Sequence, residues 1–154
     1  MSGPVLVSAC LAGCKCRYDG SSNPDGRIGR LVADGRAVLV CPEEDGGLGT
    51  PRPRAEIVGG SGEDVLAGRA RVMTVEGRDV TAEYVRGAER ALEAARRAGA
   101  RVAILKARSP SCGKGEIYDG AFEGGRRAGN GVTVALLEQA GIEVLSDEGA
   151  GAQD

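Results

Sequence analysis

"DVTAEYVRGAERALEAARRAGARVAILK", residues 79–106, reads as a long helix that runs straight into a buried strand. Val85, Ala88, Leu92 and Ala95 recur at three- and four-residue spacing, which predicts one apolar stripe along the helix. Thr81 fits the N-cap and Glu83 the first turn, while Arg96 and Arg97 sit in the last turn before Gly99. "RVAILK" (101–106) follows as a short continuous apolar run. A strand without polar alternation is covered on both faces, as strands of parallel sheets are.

The same pattern recurs on either side. "PVLVSA" (4–9) reads as a strand, and "RIGRLVADG" (27–35) as a helix with Ile28, Leu31 and Val32 inward and Gly35 as its stop. "AVLVC" (37–41) is a second apolar strand, "VTVALLEQAG" (132–141) a helix and "IEVLS" (142–146) a last strand. The order is β-α-β, then α-β-α-β. This predicts an α/β fold, a single domain over residues 1–147 with a mostly parallel sheet and helices on both faces, Rossmann-like in its three layers. Residues 148–154 are expected to be a flexible tail. "RARVMTV" (69–75) alternates and reads as an edge strand. Residues 42–60 and 109–131 read as Gly-rich loops, too long for a compact domain unless they carry function.

The 154 residues are enough for one domain with a real core. Only 3 % are aromatic, so Val, Ile, Leu and Ala must build that core. A formal net charge of −2 argues against a nonspecific nucleic-acid binder. The chain has no histidine, which removes Cys–His and Ser–His pairs and leaves proton transfer to Glu, Asp, Lys, Tyr, Cys or water. "MSGPVLVSAC" has neither a basic n-region nor a long apolar stretch, so a cytoplasmic protein with no membrane partner is expected. An odd number of cysteines, five, argues against a disulfide framework there.

Ligands of such folds sit beyond the carboxyl ends of the strands. Cys10 ends the first strand and Cys41 the second, and Ser109 and Cys112 follow the third. Three cysteines are therefore delivered to one edge. Paired zinc knuckles and a C-x-x-C redox motif are both missing from the spacing. An iron–sulfur cluster suits isolated thiolates better, and a [4Fe–4S] cube held by only three of them keeps one iron open as a Lewis acid. Cys14 and Cys16 stand as alternatives for a fourth ligand.

The set "VSACLAG…CRYDG", "CPEEDGGLGTPRPRAEI", "DVT…GA", "ILKARSPSCG", "IYDG" and "GNGVTVALL" closely resembles the bacterial thiouracil desulfurase (desulfidase) family, from residue 4 to about 147. The resemblance implies a [4Fe–4S]-dependent, non-redox removal of sulfur from a thiolated pyrimidine, with release of sulfide and uracil. It assigns the cluster to Cys10, Cys41 and Cys112, the acid/base carboxylate to Glu43, and a catalytic serine to Ser109, with Ser111 as the alternative. Relatives that act on thiolated transfer RNA have an added domain, which this chain lacks. A small molecule is therefore expected: 2-thiouracil, a thiouridine or its monophosphate.

Tyr18, Asp19, Arg52 and Arg54 are further candidates for holding the substrate, although "YDG" is also ordinary turn chemistry. "GGRRAGNGVT" (124–133) opens a helix with glycines beside Arg126 and Arg127, a place that suits an anion. Two other functions remain open on the residues alone. One is an electron-transfer or redox-sensing cluster protein, which needs a fourth ligand. The other is a module that binds a metal or a nucleotide.

Overall fold

A computed structural model describes residues 3–150. In chain order the elements are β1 (Val5–Ser8), a 3-10 turn (Ala9–Ala12), α1 (Gly26–Ala33), β2 (Ala37–Val40), α2 (Pro42–Asp45), β3 (Ala55–Val58), α3 (Gly62–Leu66), β4 (Arg71–Thr74), α4 (Thr81–Ala98), β5 (Val102–Leu105), β6 (Glu116–Tyr118), β7 (Arg126–Ala128), α5 (Val132–Gln139), β8 (Glu143–Ser146) and α6 (Asp147–Ala150). The central sheet has the order β2-β1-β5-β8, and every neighbouring pair is parallel.

Alternate residues of the central strands feed two cores. Leu6, Ala103, Leu105 and Val144 pack with Ala91, Leu92 and Ala95 of α4 and Val134 and Leu137 of α5. Val5, Val7, Val102 and Ile104 pack on the opposite face with Ile28 and Leu31 of α1. All four residues of β1 are buried, as its unbroken apolar run requires. The predicted α/β layering, one domain with helices on both faces of a parallel sheet, is what the chain adopts.

The two presumed loops hold more structure than their composition suggests. The alternating strand β4 lies on no edge of the main sheet; it pairs antiparallel with β3, which falls inside the stretch read as loop. Their hairpin packs Ile57 and Val72 with Val65, Tyr84, Ile117 and Val132 into a third core. In the second stretch β6 pairs with β7, a strand whose residues are all exposed and therefore show no apolar signal.

The cap of α4 also differs from expectation. Val80 is the N-cap, and Thr81 is the first helical residue. The Asp79 carboxylate accepts the Thr81 N–H at 2.9 Å, and the Thr81 hydroxyl is occupied in accepting the Val72 N–H at 2.9 Å. At the other end of the chain, the turn α6 carries residues 148–150 on from the domain, and Glu148 pairs with Arg108 at 2.7 Å. The tail proper, from residue 151, lies outside the described residues.

Candidate active site

The carboxyl ends of β1, β2 and β5 open into one cavity of about 320 Å³. Cys10 enters from the 3-10 turn after β1, Cys41 from the residue after β2, and Cys112 from the loop after β5. Glu43, Ser109, Tyr18, Arg52 and Arg54 line the same cavity. The structure thus brings these eight sequence candidates together around one cavity.

Cys41 caps α2, and Pro42 occupies its first turn, where a missing N–H costs nothing and φ is already helical. This carries Glu43 over the cavity. Its side chain is only 14 % exposed, and Arg52, 7 % exposed, reaches it at 3.7 Å. Burial pushes the Glu43 carboxyl above its ordinary range, and the Arg52 guanidinium pulls the other way. Arg52 is also bonded to the carbonyls of Cys16, at 3.0 Å, and Gly49, at 3.2 Å. It thus fixes the loop before β3 against the cysteine segment.

Ser109 and Ser111 have different places. The Ser109 hydroxyl oxygen accepts the N–H groups of Cys112 at 2.7 Å and Ser111 at 3.1 Å. Both lone pairs are engaged, so its hydrogen is what it offers the cavity. Ser111 is fully buried and does not line the cavity; it bonds Thr133 at 2.7 Å and contacts the Cys112 sulfur at 3.8 Å. Asp19 does not reach the cavity either. It is exposed, and its carboxylate accepts the Ser21 N–H at 3.0 Å, the turn role that "YDG" admits.

The glycine-rich start of α5 receives no anion. Its first N–H groups, those of Val132 and Thr133, are donated to the carbonyls of Pro110 and Ser111 at 2.8 and 2.9 Å. Gly131 is required there, because a Cβ would lie 2.5 Å from the Ser111 carbonyl. Arg126 turns instead to Glu116, at 3.4 Å, in the exposed β6–β7 hairpin.

Cys16 is a fourth thiol of the cavity, buried beside Cys41, whose sulfur lies 3.7 Å from the Cys16 carbonyl. Cys14 is exposed and outside. Burial, then Glu43, pushes the Cys10 thiol up to about 11. Burial likewise raises Cys16 to about 11, and it drives Cys41 and Cys112 higher still. Such thiols keep their protons until a metal cation takes the proton's place.

Tyr84 of α4, Lys106 and Arg108 also line the cavity and were not among the sequence candidates. Tyr84 is 3 % exposed, and its hydroxyl finds no hydrogen-bond partner among the described residues. Burial and the nearby Glu43 push its phenol well up. It occupies the helical stripe one residue from Val85, and a phenol on an otherwise aliphatic stripe was the available signal.

Residues 5–149 match the family described as 2-thiouracil desulfurase. The chain is 51 % identical over 143 residues to the uncharacterized protein YbbK of Bacillus subtilis, covering 93 % of this chain and 95 % of that one. It superposes with a TM-score of 0.84 on a solved structure described as the [4Fe-4S]-dependent thiouracil desulfidase TudS, at 48 % identity, covering 98 % of this chain and 97 % of that one. The chain belongs to the 2-thiouracil desulfurase family.

Proposed function

We propose that this protein is an enzyme that removes sulfur from a thiolated pyrimidine without net redox change, using a [4Fe–4S] cluster held by Cys10, Cys41 and Cys112. One observation carries the proposal: three thiols from three strand ends share a single cavity with a buried carboxylate and a hydroxyl whose hydrogen is free. The donor set fits the cofactor. Among the described residues no three Cys, Asp or Glu side chains converge on a point, as one metal ion would require. A cube instead offers each thiolate its own iron. When bound by three thiolates, the cluster supplies a Lewis-acidic iron toward the sulfur of the substrate.

The protein's own groups account for the rest. Water adds its oxygen to the ring carbon as the carbon–sulfur bond breaks, so C=S and water become C=O and hydrogen sulfide. No electrons are needed. The Glu43 carboxylate, which in its ionised form has Arg52 at 3.7 Å as a counter-charge, takes a proton from the attacking water. Burial then favours its protonated form, so it can return that proton to the departing sulfur. Ser109 donates its hydroxyl to the ring edge, and Tyr18, half-exposed at the mouth, offers a face for stacking.

Arg17 and Lys106 line the cavity and make no salt bridge among the described residues, although Arg17 acts on Asp19 and Lys106 on Glu148 at longer range. Two cations on the cavity wall without a salt bridge favour a thiouridine monophosphate over the free base. Anaerobically purified protein is expected to be brown, to contain iron and sulfide, and to release sulfide from 2-thiouracil with no added reductant. Colourless, zinc-loaded protein from the same preparation overturns the proposal.

The position of Cys16 favours a second reading, in which it closes the cluster and the protein only transfers electrons. Loss of the cluster in Cys16→Ala supports that reading, and a retained cluster with retained desulfuration excludes it.

A further inference from the structure

Ser8, the last residue of β1, is 3 % exposed and lines the cavity. Its oxygen accepts the Lys106 N–H at 2.9 Å, which ties the ends of β1 and β5 together. The hydroxyl hydrogen remains to be placed. The Cys112 sulfur contacts the Ser111 hydroxyl at 3.8 Å and lines the same cavity as Ser8, whose hydroxyl opposes the burial that raises the Cys112 thiol. Cys112 thus has one buried hydroxyl in contact, from its own loop, and a second, from β1, on the same cavity wall.

As a thiol, Cys112 can give its hydrogen to one of them. As a metal-bound thiolate it has none to give, so the Ser111 contact requires the serine to donate, and a Ser8 hydroxyl turned to the sulfur would do the same. For Ser111 this fixes the direction of the remaining bond: the 2.7 Å contact with Thr133 then runs from the Thr133 hydroxyl to the Ser111 oxygen. Ser111, Thr133 and Cys112 are 0, 0 and 4 % exposed, so water does not compete for these hydrogens.

We infer that Ser8 and Ser111 are positioning residues for the iron-bound sulfur of Cys112, each donating its hydroxyl hydrogen to that sulfur. The inference rests on the three-thiolate reading above. Hydrogen bonds to a ligand sulfur draw charge out of the iron–thiolate bond, raise the reduction potential and make the iron a stronger Lewis acid. Polarising a C=S bond requires that acidity. The arrangement also explains two buried hydroxyls that the substrate chemistry leaves unused: Ser111, which never reaches the cavity, and Thr133 behind it.

The test compares anaerobic wild-type protein with S8A, S8T and S111A. Iron and sulfide are counted, and the midpoint potential of the cluster is measured by dye-mediated titration. S8A and S111A are each expected to hold a full cluster at a lower potential, with kcat down about tenfold, the effect of one hydrogen bond to a charged group. S8T keeps the hydroxyl and should restore both values. Should S8A fail to assemble, because the Lys106 N–H loses its acceptor, S111A reads the second donor and decides alone. Full clusters at the wild-type potential in the assembled variants overturn the inference and leave the desulfurase reading standing. Wild-type protein without a cluster sinks that reading instead.

Discussion

Gly87 of α4 lies directly against Pro42 of α2, and a Cβ at Gly87 would overlap the Pro42 carbonyl oxygen. The contact is reciprocal, since a Cβ at Gly46 would overlap the Glu83 carbonyl. The short helix that carries Cys41 and Glu43 therefore rests backbone to backbone on the longest helix of the fold. Gly87→Ala must lift α2 and move a thiol and the carboxylate together. The expected result is a loss of about 1–3 kcal/mol in a urea melt, the usual cost of overpacking, with iron content and sulfide release falling in parallel. Gly29→Ala is the control. That Cβ meets nothing within 4 Å in helix α1, so stability should hold or rise slightly.

The parallel sheet was legible because β1 is buried on both faces and β5 is packed on both, and an unbroken apolar run is what such packing looks like in sequence. The convergence of Cys10, Cys41 and Cys112 followed from strand order alone. The β6–β7 hairpin was not legible: Arg126, Arg127 and Ala128 are exposed, so their pairing left no periodicity to detect. The roles of Ser109 and Ser111 were not separable either. Two residues apart, they differ only in whether the loop turns them to the cavity or to Thr133, and long-range packing against α5 decides that. Tyr84 was hidden because the stripe of α4 is broader than expected: Ala88, Leu92 and Ala95 are buried, but so are Tyr84, Gly87 and Ala91, while Val85 is half-buried.

The cysteines divide into two expected behaviours. Cys10→Ala, Cys41→Ala and Cys112→Ala should each lose iron and all desulfuration. Cys14 is exposed and outside the cavity, so Cys14→Ala should match wild type. Cys16→Ala should keep the cluster and turnover, because three thiolates leave the substrate its iron. Iron analysis and a sulfide assay on one anaerobic set of five variants separate these outcomes.

The two cations of the cavity wall, Arg17 and Lys106, give a substrate-dependent prediction. Arg17→Ala combined with Lys106→Ala should raise KM for a thiouridine monophosphate by at least about tenfold, the scale of a lost charge-assisted contact. KM for free 2-thiouracil should hardly change. Equal effects on both substrates would mean that neither cation meets a phosphate.

Asp25 links stability to pH. It caps α1 by accepting the Arg27 N–H at 2.9 Å and pairs with the Arg27 guanidinium at 2.6 Å, while Arg27 also bonds the Asp147 carbonyl. Its carboxyl is held below the ordinary range, first by the Arg27 side chain. A depressed folded-state pKa adds stability that is complete above the unfolded value of about 3.9 and is lost as pH falls through the lower folded value. Asp25→Ala should thus cost about 1 kcal/mol near neutral pH, as lost caps do. The gap from wild type should close below the unfolded value. Urea midpoints across that range test the sign.

Glu43→Gln tests the chemistry apart from the cofactor. Glutamine keeps the size of the side chain and can still approach Arg52, so α2 and the thiols should stay in place and iron content should be unchanged. What is lost is the group that takes a proton from water and returns it to sulfur, and no histidine is present to replace it. A fall in kcat of about 10² to 10⁴ is expected, the usual worth of a positioned general base. KM should move little, because Glu43 acts on water and leaving sulfur, while the mouth of the cavity holds the substrate. A variant with a full cluster and near wild-type kcat would transfer the proton role to another cavity group, and Tyr84, whose hydroxyl has no partner among the described residues, would be the next to replace.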